Sequence, residues 1–394
     1  MATPNKSLAR RVIPVGLVLA VCIWLAVARN TYWIPRHPRP QPKPELLPVE
    51  TTAPAWDGSY PVLAITLEVP SSGHIKYAAA IVMRQPTVQH SAPANEFDVA
   101  LDSGLFVLRQ TDLFVPDAMP LVLTRIYRPW DYRDHAFGVG ANHPYDICPT
   151  GTRNPYTYIN LNLEDGRQIY FPRISKGMSY SDAVFRHRDT SSEFYGAEIA
   201  WNGDGWTLEF SDHRKFLFPE AYSAKNYAQG APTEMQDGHG NRIQLKRDKA
   251  RNLSELISPS GHTITFQYDG ADRIKEARDD AGNIRTYLYD SSGHLESVSD
   301  QSHVLYRFEY ARTLSRRGYD PYVMTVVMDG SWETLLKNTY NRYGEVSQQR
   351  LGDGRVWRYD YSHDSKNQIV ETTVTFQDGH KRQLRFRDGS LAGP

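Results

Sequence analysis

The sequence predicts an all-β protein: stacked antiparallel hairpins of a 21-residue repeat, preceded by one apolar segment suited to a membrane helix. Three observations carry this. Tyr268, Tyr289 and Tyr310 stand 21 residues apart, and so do Tyr340 and Tyr361. Nine Asp-Gly dipeptides and Asn202-Gly203 punctuate the chain, and eight of the nine fall after residue 160, between β-favouring runs. Such pairs supply the positive φ of tight hairpin turns at low steric cost. The composition, with 24 Tyr, 14 Phe and 27 Gly, favours half-buried pleated surfaces broken by turns.

Residues 1–11 form a basic tail carrying Lys6, Arg10 and Arg11. Residues 12–28 then run for 17 residues without a charge, followed by Tyr32 and Trp33, which suit a membrane interface. The run is longer than a signal-peptide core, which favours an uncleaved anchor, although Ala26-Val27-Ala28 would serve as a cleavage site. Arg29, Arg36, Arg39 and Lys43 roughly balance the charges before the span, so charge leaves the orientation open. Either reading makes the segment an export address. The protein is therefore expected in a bacterial cell envelope, bound to the membrane through this segment, with its C-terminal part outside the cytoplasm.

Six prolines between residues 35 and 48 prefer polyproline II and make a semi-rigid spacer. Residues 57–97 hold short β-like runs that fit no pattern. Residues 98–235 read as an N-terminal β module, and residues 236–394 as the repeat array. Cys148 is the only cysteine in the body of the chain, so no internal disulfide framework is expected there.

The array shows its phase at several columns. Gly240, Gly261, Gly282 and Gly354 stand seven residues before Arg247, Tyr268, Tyr289 and Tyr361. Asp248, Asp269 and Asp290 follow the column position, and Leu253, Ile274, Leu295 and Val346 lie six residues beyond it. Gly293 and Gly344 mark a second turn. A 21-residue unit accommodates one hairpin of two strands and two turns, and a lone hairpin is marginal in water, so stability must come from stacking. Tyr310 to Tyr340 spans 30 residues, which places an insertion around Ser315-Arg316-Arg317-Gly318.

Tyr289-Asp290-Ser291-Ser292-Gly293-His294-Leu295 resembles the tyrosine–aspartate repeat start of the Rhs/YD-repeat family, and Tyr340-Asn341-Arg342-Tyr343-Gly344-Glu345-Val346 is a near match. The preceding segment resembles the module of unknown function that commonly precedes Rhs repeats. It runs from Leu101-Asp102-Ser103-Gly104, through Thr111-Asp112-Leu113 and Thr124-Arg125-Ile126-Tyr127, to His143-Pro144-Tyr145-Asp146. The resemblance covers about residues 98–390. It implies a long sheet that spirals into a curved shell, which in large relatives encloses a C-terminal toxin. Here the sequence runs out at Asp388-Gly389 to Pro394 with no aspartate-containing self-cleavage motif, so a truncated relative without cargo is expected.

Chemistry-bearing patterns are sparse. No Walker loop, nucleophile elbow, HExxH or Cys/His cluster appears. Gly238-His239-Gly240-Asn241 and Gly352-Asp353-Gly354 precede no helix and read as hairpin turns, not phosphate loops. His143 with Asp146, and Asp212-His213 with Glu193 and Glu198, are the acid/base candidates. Asp279, Asp280 and Asn283 form a turn that lacks the ligands of a Ca²⁺ loop. Trp201, Trp206 and Trp357 are candidates for stacking on sugar rings, with the repeat's buried packing stripe as the favoured reading. Lys plus Arg and Asp plus Glu both number 45, a balance that excludes a general nucleic-acid surface. The resulting expectation is a non-enzymatic scaffold with no cofactor and no metal. Its partner would be another envelope protein, a toxin domain or a glycan. A carbohydrate-binding or carbohydrate-hydrolysing exported protein is the alternative.

Overall fold

In the plainest repeat strands every second side chain is apolar and turned inward. In Thr263–Tyr268, Ile264 and Phe266 are buried while Thr265 and Gln267 are exposed. In Arg242–Arg247 the same alternation buries Ile243 and Leu245. A period of two with one buried face dictates a sheet wetted on one side only.

The computed structural model describes residues 99–129, 131, 133–189, 193–221, 227–313, 322–387 and 390–391. The chain divides into the units Met1–Ala55 and Trp56–Pro394, and every described residue belongs to the second. The basic tail, the apolar run, the proline spacer, residues 57–97 and the Ser315–Gly318 insertion all lie outside the described residues. Among the described residues no helix is long and apolar enough to cross a membrane, and only two short 3-10 turns interrupt the strands.

Nineteen strands form one antiparallel sheet in strict chain order, from Val184–Arg186 to Ser390–Leu391. The sheet continues unbroken across residue 236, because Glu234–Gln236 pairs with both Lys215–Pro219 and Arg242–Arg247. Its first strands belong with a three-stranded sheet, Cys148–Gly151, Tyr158–Asn162 and Gln168–Pro172, around a second core that includes Phe171, Phe185, Ile199 and Leu208. The remaining strands share the main core with strands Leu108–Val115 and Leu121–Tyr127.

Each unit turns twice. The aspartate after the repeat tyrosine caps the first turn: Asp269 Oδ1 accepts from the amides of Ala271 and Arg273, Asp290 from Ser292 and His294, and Asn341 from Tyr343 and Glu345. These are Asx turns, which explains the residue type at that column. The second turn places Gly240, Gly261, Gly282 and Gly354 at φ between 88° and 90°. Gly293 and Gly344, at φ 88° and 76°, serve the first turn.

The repeat tyrosines sit at β-bulges. The register shifts between Gln267 and Tyr268, Leu288 and Tyr289, Glu309 and Tyr310, and Thr339 and Tyr340. Arg247 occupies the same position one unit earlier, while in the last unit the bulge falls two residues beyond Tyr361, between Ser362 and His363.

Candidate functional site

The array spends its repeat chemistry on joining one unit to the next. Tyr268 donates its hydroxyl hydrogen to the Leu253 carbonyl at 2.9 Å, Tyr289 to Ile274 at 2.6 Å, and Tyr310 to Leu295 at 3.0 Å. Tyr340 does the same to Met324 at 2.6 Å and Tyr361 to Val346 at 2.7 Å. Burial raises the pKa of all five phenols, so they remain neutral donors.

At three of these bulges the opposing residue also turns its amide out of the ladder, to the segment that precedes the array. Ile274 N–H donates to the Ala136 carbonyl and Val346 N–H to the Gly104 carbonyl, both at 2.8 Å, and Met324 N–H donates to the Tyr127 hydroxyl at 2.9 Å. Ile274, Met324 and Val346 therefore give their amides to the module and their carbonyls to the next unit's tyrosine. Buried backbone groups must find partners, so a bulged array needs this cover.

Around these bonds the seam is tight. Gly138 lies so close to the array that a Cβ there would meet the Gly293 carbonyl oxygen at 2.3 Å, and the Val139 amide donates to that oxygen at 3.0 Å. Gly104, at φ 68°, presses on Glu345, whose Cβ would stand 2.6 Å from an added methyl. Glu345 is fully buried and is met by His363 Nε2 at 2.8 Å and Asn341 Nδ2 at 2.9 Å. Thr372 donates its hydroxyl to the Leu101 carbonyl at 2.6 Å.

The seam also encloses charge. Arg125 and Asp112 are both buried and pair twice, at 3.1 and 3.2 Å. Tyr287 donates its hydroxyl to Asp112 at 3.0 Å, and the Arg125 guanidinium lies 5.1 Å over the Phe308 ring. Burial would expel a lone guanidinium's charge, but the Asp112 carboxylate more than offsets this and holds the Arg125 pKa above its usual value. At the other end Arg247 donates to Asp146 at 3.1 Å and to the Tyr145 carbonyl at 2.6 Å.

The acid/base candidates do not assemble. His143 is fully buried among Phe137, Tyr145 and Phe266, with Nε2 3.9 Å from Asp146, and neither ring nitrogen has a hydrogen-bond partner. Desolvation, opposed by Asp146, lowers its pKa. Arg214 bridges Asp212 at 2.7 Å and Glu193 at 3.4 Å, while Arg186 pairs with Glu198 and Glu209 with His213 at 3.2 Å. Asp279 caps its own turn through the Asn283 amide and side chain, each at 2.7 Å, and Asp280 pairs with His262. Among the described residues no group of three or more His, Cys, Asp or Glu could hold a metal ion. Gly240 and Gly354 close hairpin turns onto the Asp237 and Leu351 carbonyls. Trp206 and Trp357 are buried in the two cores, and Trp201 is half-buried against Tyr180 at 4.8 Å and Trp206 at 5.4 Å.

The sequence reading passed over a second column two residues before the tyrosines. Phe266, Tyr287, Phe308 and Tyr359 are more deeply buried than the named tyrosines beside them. Their 21-residue spacing from 266 to 308 was there to be read. Arg125 also stands at an inward position between Leu123 and Tyr127, and Asp112 at the bulge of the facing strand.

Residues 98–171 match the family model of a domain of unknown function, DUF6531. No curated protein matches the chain. Among solved structures the chain is similar to a TcdB2–TccC3–Cdc42 complex, at 11% identity and TM-score 0.30, over 70% of this chain and 19% of that one. It is also similar to the Photorhabdus luminescens Tc holotoxin pore, at 12% identity and TM-score 0.29, over 71% and 18%. A porin-like protein from Bacteroides uniformis aligns at 10% identity and TM-score 0.22, over 74% and 93%. The chain spans less than a fifth of the length of the first two.

Proposed function

We propose that this chain is a non-enzymatic, toxin-related YD-repeat scaffold. In this reading its sheet curves into part of a shell, its N-terminal module seals the inner face, and an N-terminal segment holds it at the cell envelope. One observation carries the reading: a bulge recurs at the same column of successive units, each tied back by a tyrosine and three covered by the module. A bulge bends its strand and adds right-handed twist, so bulges in phase accumulate curvature in one direction. Carboxylates paired with arginines and a histidine sealed in a core support a structural over a hydrolytic role for these groups. The match of residues 98–171 to DUF6531 supports reading the segment before the array as a module of its own.

Two experiments test the proposal. The purified chain should hydrolyse no polysaccharide, ester or phosphate. An activity that copurifies and disappears in Asp212→Asn or Glu198→Gln would overturn the scaffold reading. Protease added to intact spheroplasts should remove the C-terminal domain, and digestion only after lysis would overturn the envelope placement.

A further inference from the structure

The wetted face of the long sheet matches its charges across the strands. Arg186 stands opposite Glu198, Glu209 opposite Lys215, Lys246 opposite Glu255 and Glu371 opposite Arg385, and each is an ion pair. Where two acids oppose each other, at Glu198 and Glu209, Arg186 and Lys215 flank them on either side. One position breaks the rule. Lys337 stands directly opposite Arg350, the only directly opposed pair of cations in any ladder among the described residues. Both side chains are exposed, and like charges whose Cβ atoms stand about 4.5–5.5 Å apart across a ladder destabilise a sheet.

Two more cations join them on the same face. Arg358 faces Gln348, which sets it on the diagonal from Arg350, and Lys381 lies beyond Thr375, which pairs with both Arg358 and Lys381. Among the described residues none of these four exposed side chains has an ion pair or a hydrogen bond. Residues 334–387 hold ten Lys and Arg against six Asp and Glu, in a chain balanced at 45 each. Five of the six acids are engaged elsewhere. Glu345 is buried against His363, Asp353 pairs with Arg355 and Glu371 with Arg385, and Asp364 and Asp378 cap turns of their own. Asp360 alone remains on the outer face beside Arg358, and Glu309 stands two strands from Lys337, beyond Val326.

We propose that this outer face is a docking surface for an anionic bilayer. Its charge selects an anionic partner, and its surroundings select a lipid surface. The four cations spread over five consecutive strands, about 19 Å at the usual strand spacing. No strongly exposed large apolar side chain lies between residues 334 and 387 among the described residues. A protein interface centres on an apolar or aromatic anchor and single-stranded nucleic acid on aromatic platforms, and this face offers neither. A bilayer needs no anchor, because headgroup attraction sums over every Lys and Arg near the surface. The docking face goes beyond the scaffold reading and holds whether or not the N-terminal segment spans a membrane.

The full-length chain, in a Cys22→Ser background, would carry a donor dye at Thr339→Cys, an exposed position two residues from Lys337. Acceptor-labelled vesicles of phosphatidylcholine alone are compared with vesicles that also contain phosphatidylglycerol. Energy transfer should be several-fold higher on the anionic vesicles and fall to the neutral level in high salt, which shortens the screening length. Lys337→Gln with Arg350→Gln and Arg358→Gln should abolish that difference while the melting midpoint holds or rises, since a repulsion is removed. Retention on the anionic vesicles alone supports the docking face and counts against the anchor instead. Equal transfer on both kinds of vesicle, or retention on neither, overturns the proposal. So does displacement by a short DNA duplex or polyglutamate at equal charge, or a triple variant that melts several degrees lower.

Discussion

Replacing Tyr289 probes the joint between units most directly. Its hydroxyl reaches the Ile274 carbonyl at 2.6 Å, the Arg273 guanidinium lies 4.4 Å over its ring, and Gly138 packs so close that an added Cβ would touch the ring at 3.0 Å. Tyr289→Phe removes only the hydrogen bond, at a cost of about 0.5–1.5 kcal/mol. Tyr289→Ala also removes a half-buried ring, about 2–3 kcal/mol after allowing for its exposure, and a cation–π contact of about 0.5–1 kcal/mol. The alanine total is then about 3–5 kcal/mol, or roughly 10 °C in melting midpoint for a domain of this size. Lys275→Ala, on the wetted face of the neighbouring strand, is the control and should stay within about 0.5 kcal/mol. Thermal melts of the soluble domain would measure all three. If Tyr289→Ala and Lys275→Ala shift the midpoint equally little, the tyrosine column does not hold the units together, and the account of the array fails.

Arg125→Met should cost about 3–5 kcal/mol by leaving Asp112 buried and uncompensated, and Arg125→Met with Asp112→Leu should recover most of it, as read by urea denaturation. Gly282→Val should cost about 1–3 kcal/mol from backbone strain alone, because no atom lies within 4 Å of the added Cβ. For His143 the folded pKa is depressed by burial, so the unfolded chain takes up its proton first as pH falls below about 6.5. Stability should therefore decline on acidification from that point, and His143→Phe should flatten the decline in a stability–pH series. The carboxyls of Asp131 and Asp146 are depressed despite their burial, so their stabilising contribution is lost only at much lower pH.

Much of the array was legible because its signals are local. Tyrosine spacing, Asx turns and positive-φ glycines are set within one hairpin, and Asp290 with Gly293 shows both turn devices within four residues. The second column was harder to see, since Phe266, Tyr287, Phe308 and Asn338 share a place in the unit but not a residue type. The start of the sheet at Val184 carries no 21-residue phase, so nothing local marked it as continuous with the array. The seam was out of reach for another reason. Gly104 and Glu345, or Asp112 and Tyr287, become partners only when the sheet brings distant segments together, and a bulge that turns an amide aside is a backbone event without a residue signature. Trp206 and Trp357 lie in the two cores, as the packing-stripe reading expects, although an aromatic on a strand does not itself tell which face it occupies.

The backward reach of the tyrosines has a temporal side. Tyr289 closes on a carbonyl 15 residues behind it, so each unit can be fastened as soon as the next has been made. The segment made before the array has no such prompt partner: Asp112 waits 175 residues for Tyr287, and Tyr127 waits 197 for the Met324 amide. At roughly 5–20 residues per second that delay lasts on the order of ten seconds or more. Phe106, Leu121, Leu123 and Phe137 are buried in the finished protein in the core that the later strands complete. Among the described residues, the segment made first is thus the one that waits longest for its partners.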